Sequence, residues 1–142
     1  MEKILIEFVN TLDSSFKKRL AETGSFSGVS QLTIAQFQYI DAIHDLKAPN
    51  VTEIANKLNL AKASVSTGIN KLIAQGYVTK TQSDLDKRVF YLGLTKIGRR
   101  TIDARNQTLK EYSDFIDAAL SKDEAEQFET ILIKLVDLFG QR

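Results

Sequence analysis

Residues 51–95 read VTEIANKLNLAKASVSTGINKLIAQGYVTKTQSDLDKRVFYLGLT. Thr52 is a suitable N-cap for a short helix over about 53–58, in which Ile54, Ala55 and Leu58 share one face. Asn59 and Leu60 supply a turn. A second helix follows over 62–75 with Val65, Ile69 and Leu72 inward, and Gly76 stands where a left-handed C′ residue ends a helix. Residues 77–82 and 89–94 alternate as half-buried strands, joined by the polar tip SDLDKR. Two short helices at a tight turn, then a thin hairpin, is the order of a winged helix-turn-helix. The predicted fold class is mainly α with a small β-wing.

Outward from this stretch the pattern is helical. Ile4, Leu5, Phe8, Val9, Leu12, Phe16 and Leu20 form one stripe on a helix over 2–20, and the Gly/Ser-rich segment 22–31 reads as a loop. Thr33 begins a helix through about Lys47 with Ile34, Phe37, Ile40, Ile43 and Leu46 inward. Pro49 ends that run and directs Ala48 towards extended geometry. Thr95 caps a long helix reaching about Ala119. Ser121 and Glu124 form a capping box for a last helix bearing Phe128, Ile131, Leu132, Leu135, Val136 and Phe139, with Gly140 after it. The expected organisation is one domain over 1–142, its winged region at 32–100 and its remaining helices at 1–20 and 101–142. A winged helix closes its own core, so the stripes of those outer helices lack sufficient chain to cover them. Either two copies interleave them in a homodimer, the more economical answer, or they form an intramolecular helical subdomain.

The 142 residues carry no Cys, which excludes disulfides, thiolate metal sites and thiol redox sensing. With a single histidine, His44, multi-His metal sites and a Ser-His or Cys-His pair have no basis in one chain. The seven glycines are scattered and form no phosphate-cradling loop, so the chain is not read as an enzyme and no cofactor is expected. The run ILIEFVNTL does not read as a signal peptide, and no apolar run approaches the ~20 residues needed to span a bilayer. The expectation is a cytoplasmic protein without a membrane partner.

The net charge of +1 hides a segregation. Residues 1–56 carry 5 Lys/Arg against 7 Asp/Glu, a charge of −2. Residues 57–105 carry 10 against 3, or +7, and residues 106–142 carry 4 against 8, or −4. Basic charge thus coincides with the two elements that would meet a duplex, and double-stranded DNA is the expected partner. On helix 62–75, Lys62, Ser64, Ser66, Thr67, Asn70 and Lys71 occupy the surface left by the buried stripe. Asn70 suits adenine in the major groove, the hydroxyls suit base edges and phosphates, and the lysines suit phosphates. Lys87 and Arg88 at the wing tip suit the minor groove, with Asp86 expected to orient the Arg88 guanidinium. The plainer reading is a solvated helix face and a charged turn.

LTIAQFQYIDAI, VTEIANKLNLAKASVSTGINKLIAQGYVTK and DLDKRVFYLGLTKIGRR together resemble the MarR family of bacterial and archaeal regulators. The match covers about residues 32–100, and its most specific part is the D-K-R wing followed by an alternating strand and L-T-x-x-G. The resemblance implies a homodimer joined by its terminal helices, a repressor-type regulator on a palindromic operator, and release of DNA by a small apolar or anionic effector. It places Ser64, Ser66, Thr67, Asn70 and Lys71 on the reading helix and Arg88 on the wing. Two residues depart from the pattern. Ala61 cannot cap as Ser or Thr would, and Gly68 lies mid-helix, where glycine costs roughly 1 kcal/mol relative to alanine. Gly68 permits close approach of either another helix or DNA, the helix being the favoured reading.

For the effector, Phe37, Tyr39, His44 and Tyr112 are candidate lining residues. The simpler account makes His44 a satisfied, partly buried side chain. Asp41, His44 and Asp45 stand at i, i+3 and i+4, a metal-compatible spacing, but a solvated helix face explains them better and no metal is expected. The competing function is a winged-helix protein-interaction module without nucleic acid, which calls for an apolar helix 62–75, the opposite of its composition.

Overall fold

A computed structural model describes residues 1–23 and 32–140. Much of the expected loop at 22–31 lies outside the described residues. The elements in order are α1 (Glu2–Thr23), α2 (Ile34–Leu46), α3 (Val51–Leu58), α4 (Lys62–Ala74), β1 (Val78–Gln82), β2 (Phe90–Leu94), α5 (Lys96–Ala119) and α6 (Lys122–Gly140). The chain is mainly helical with one two-stranded antiparallel sheet, as its pattern predicts. It divides into two compact units, residues 1–105 and 106–142.

The first unit holds the core. Ile40 of α2, Ile54 of α3, Val65, Ile69 and Leu72 of α4 and Leu92 of β2 are essentially fully buried and cluster together, with Phe16 of α1 packed against them. In the wing, Val78 pairs with Leu94, Lys80 with Leu92 and Gln82 with Phe90. A further bond ties the sheet to the turn between α2 and α3: the Leu92 N–H donates to the buried Pro49 carbonyl at 2.8 Å.

That bond accounts for one departure from expectation. Lys47 and Ala48 have φ of 53° and 63°, so Ala48 is not extended but left-handed. Two consecutive positive-φ residues reverse the chain after α2 and bring Pro49 alongside β2, a strained arrangement that the buried contact holds in place. A second departure follows at once. Asn50, not Thr52, caps α3: its side-chain oxygen accepts from the Glu53 N–H at 2.9 Å, while the Glu53 carboxylate accepts from the Asn50 N–H at 2.7 Å. The helix therefore starts at Val51. Asn50→Ala is expected to lower stability by about 1 kcal/mol, and Thr52→Ala to change it little. Urea denaturation of the two variants checks the assignment, and the reverse order would refute it.

The end of α4 is a Schellman turn. Gly76, at φ 82°, donates to the Ile73 carbonyl and Tyr77 to the Leu72 carbonyl. Thr95 locks α5 against this turn: its hydroxyl donates to the Gly76 carbonyl at 2.7 Å and accepts from the Gly98 N–H at 3.0 Å. A side chain at Gly98 would stand 2.3 Å from the Tyr77 carbonyl oxygen, so the Thr and the Gly of the L-T-x-x-G motif each have a structural reason. Ile34 and Leu46, expected inward, are exposed. They are the first and last residues of α2, where the helix has not yet reached the core or has already passed it.

In the second unit, the capping box at α6 is in place. The Glu124 carboxylate accepts from the Ser121 hydroxyl at 2.7 Å and from its N–H at 2.9 Å. The hydroxyl bond first and the backbone bond second hold the Glu124 carboxyl below its ordinary range. The box is thus intact above that range and is lost as pH falls through the lowered pKa. Helix α6 extends through Gly140 and has no buried residue: Ile131, Leu132, Leu135, Val136 and Phe139 are all exposed. So are Ile4, Leu5, Phe8, Val9 and Leu12 of α1. No helix among the described residues is long and apolar enough to cross a membrane.

Candidate nucleic-acid interface

Burying Val65, Ile69 and Leu72 turns the opposite face of α4 to solvent. Lys62, Ser64, Thr67, Asn70 and Lys71 are exposed there and Ser66 is half-buried. The Thr67 hydroxyl donates to the Ala63 carbonyl at 3.0 Å, so its free lone pairs accept rather than donate. Ala61 makes no side-chain cap, which leaves the leading N–H groups of α4 without a side-chain acceptor.

The wing tip is built from its own polar groups. The buried Ser83 accepts at its hydroxyl from the Leu85 and Asp86 N–H groups, both at 3.3 Å. Gln82 donates from its side-chain amide to the Lys87 carbonyl at 2.7 Å. Asp86 accepts the Arg88 backbone N–H at 2.9 Å. Its support is therefore of the chain and not of the guanidinium, because an aspartate two residues before a turn N–H closes an Asx turn. Asp84 pairs with Lys87 at 3.6 Å, both side chains being exposed.

Two grooves flank α4. One, of about 260 Å³, lies between the start of α3 (Asn50, Val51, Thr52), Lys62 and Ser66 of α4, and Lys80, Arg88, Val89 and Phe90 of the wing. It brings Lys62 and Arg88 together with Lys80, a residue that sequence reasoning missed. Lys80 shares its face of β1 with the buried Val78 yet is exposed, and it sits 4.4 Å from the Phe90 ring centroid, a cation–π contact that holds its ammonium over the groove wall. Strand alternation places Lys80 on the face of Val78, so no local pattern singles it out. Among the described residues no carboxylate pairs with Lys62, Lys80 or Arg88.

The other groove, of about 550 Å³, runs between Thr33, Gln36 and Tyr39 of α2 and Ala63, Ser64, Thr67, Gly68 and Lys71 of α4. Gly68 belongs to the packing here: a Cβ on it would fall 2.2 Å from Cε2 of the buried Tyr39 ring. The side-chain amide of Gln36 donates to that of Gln75 at 3.0 Å, joining the start of α2 to the end of α4.

The four candidate effector residues do not share one of these grooves. Tyr39 lines the second. Phe37 is buried beneath the Arg105 guanidinium, 5.8 Å from its ring centroid. His44 is exposed in the last turn of α2, not partly buried. Tyr112 is half-buried on α5 in the second unit. Asp41 is bonded to Arg105, and Asp45 pairs with Lys57 at 3.1 Å. The carboxylates flanking His44 thus already have cations, and the described residues contain no group of three or more metal-ligating side chains.

A sequence model described as the MarR family matches residues 30–89. The chain is 35% identical over 89 residues to the uncharacterized HTH-type transcriptional regulator YhjH of Bacillus subtilis, covering 63% of this chain and 49% of that protein. It spans about half the length of such curated relatives. Among solved structures it resembles FabT of Streptococcus pneumoniae in complex with DNA, at TM-score 0.76 and 21% identity over 99% of both chains. It also resembles the heme sensor PefR of Streptococcus agalactiae in complex with heme, at TM-score 0.72 and 20% identity over 94% of this chain and 90% of that one. At these identities the structural likenesses speak for the fold.

Proposed function

The chain belongs to the MarR family of winged-helix proteins, and from that premise we propose that it is a transcriptional regulator that binds a palindromic DNA operator as a homodimer. The observation that carries the proposal is the convergence of Lys62, Lys80 and Arg88 on one groove between the reading helix and the wing. Three cations on one groove suit the phosphates of a duplex whose major groove receives α4. Asn70 then faces base edges, where its amide matches the acceptor and donor of adenine. The leading N–H groups of α4, uncapped by Ala61, suit a phosphate oxygen. The wing tip, carrying Arg88, lies over the adjacent minor groove. The FabT complex with DNA supports this placement by likeness of fold.

The homodimer is supported by the exposed apolar stripes of α1 and α6. An exposed apolar stripe on each of these helices marks an interaction surface, and a second copy of the same stripes is its economical cover. Two reading helices would then sit about 10–10.5 base pairs apart. Repression, with release by a small apolar or anionic effector, completes the proposal; the heme-bound PefR neighbour supports looking for such a ligand. Two measurements test it. Selection of bound duplexes from a random pool should return a palindrome at that spacing, and sedimentation should return twice the 15.9 kDa chain mass. An enriched but asymmetric site, or a 15.9 kDa species at micromolar concentration, would overturn the dimer.

A further inference from the structure

We infer that Leu85, at the tip of the wing, is an apolar wedge that enters the minor groove beside Arg88 and selects a deformable base step there. The inference rests on the DNA-binding reading proposed above and adds a specificity element to it. Leu85 is 101% exposed, an isolated apolar side chain at the end of a charged hairpin, belonging to neither of the apolar helix stripes. An exposed leucine on a slack loop would mean little, but this loop is pinned. The Ser83 hydroxyl accepts from Leu85 itself and from Asp86, Ser83 donates to the Val89 carbonyl at 2.8 Å, and Val89 donates to the Asp86 carbonyl at 3.0 Å. The side chain is therefore presented on a preformed support, and little ordering entropy opposes its use.

The charges around it permit entry into an anionic groove. Asp84 is paired with Lys87, and Asp86 is engaged by the Arg88 N–H, so both carboxylates beside Leu85 have partners. Arg88, with no paired carboxylate among the described residues, supplies the attraction, and sequence-neutral phosphate contacts alone would leave Leu85 in water. Leucine between base pairs gains apolar contact and partly unstacks a step, and pyrimidine–purine steps yield most readily. The selected property is deformability and not a hydrogen-bond pattern, because leucine offers no donor or acceptor.

The test scans 2-aminopurine through the flanks of the selected duplex and titrates the 142-residue chain, Leu85→Ala and Leu85→Met. The wild-type chain should raise fluorescence at one flanking step and prefer TA or CA there over AA by roughly tenfold. Leu85→Ala should lose both responses while keeping the salt dependence of binding; Leu85→Met, still apolar and of similar length, should keep both. Because Leu85 is fully exposed, the alanine variant folds as the parent does. A flat wild-type scan, or an alanine variant with the parent's step preference, overturns the wedge while leaving DNA binding standing. A wild-type chain that retains no duplex at low salt overturns the wedge and the DNA-binding reading together.

Discussion

Raising the salt concentration from about 50 to about 200 mM is expected to weaken binding of the selected duplex by roughly 10³- to 10⁵-fold. The range follows from the cations on the reading face. Lys62, Lys71, Lys80, Lys87 and Arg88 are exposed on α4 and the wing of each chain. Two copies would bring at most ten cations to one operator, and Lys87, shared with Asp84, counts for less than the rest. Neutralising about six to ten phosphates gives a slope of log K against log salt between about −5 and −9. Backbone N–H contacts at the start of α4 add affinity without steepening that slope, since they release few ions. Arg88→Ala should then weaken binding by about 1–3 kcal/mol and flatten the slope by roughly one ion per chain. A nearly salt-independent affinity would sink the DNA-binding proposal, and an Arg88→Ala variant with undiminished affinity would sink the assignment of the wing. Fluorescence anisotropy across a salt series reads both.

The elements were legible because they depend on local periodicity. The Val65, Ile69 and Leu72 stripe repeats at helical spacing, and the structure buries all three. Gly76, Thr95 and the Ser121–Glu124 box are short-range chemistry, and each stands in the position its residue type demands. Part of what escaped sequence reading depends on partners distant in the chain, and part on local spacings that admit two outcomes. Ala48 is left-handed because Pro49 must meet Leu92, some forty residues on. Asn50 outcompetes Thr52 as cap because Glu53 stands three residues after Asn50, the capping-box spacing. Lys80 joins the cationic groove only once the hairpin folds beside α3, and no window of sequence around it displays that. Asp86 meets the Arg88 N–H and not its guanidinium, and an Asx turn and a carboxylate–guanidinium pair start from the same spacing.

Gly68→Ala is expected to lower stability, although alanine is the better helix former. The two effects have opposite signs and known sizes. Alanine in a helix interior gains roughly 1 kcal/mol over glycine. Against this, its methyl would stand 2.2 Å from Tyr39 Cε2 and 2.9 Å from Cδ2, far inside contact distance. Tyr39 is 6% exposed and belongs to the core cluster, so the ring cannot swing aside without displacing its neighbours. Overpacking of this kind costs about 1–3 kcal/mol, occasionally more, and with the ring held in place the upper part of that range applies. The net expectation is a loss of up to about 2 kcal/mol, a fall of roughly 4–8 °C in Tm for a chain of this size. The same substitution separates the two readings of the glycine. If Gly68 exists for the α2–α4 contact, the loss should vanish in a Tyr39→Val background, where Gly68→Ala becomes neutral or gains up to about 1 kcal/mol. If it exists to let DNA approach the helix, stability should hold and duplex affinity should fall, because Gly68 also borders the outer groove with Thr67 and Lys71. The buried ring argues for the first outcome. A Gly68→Ala chain with the parent's Tm and a weakened duplex affinity would reverse that argument.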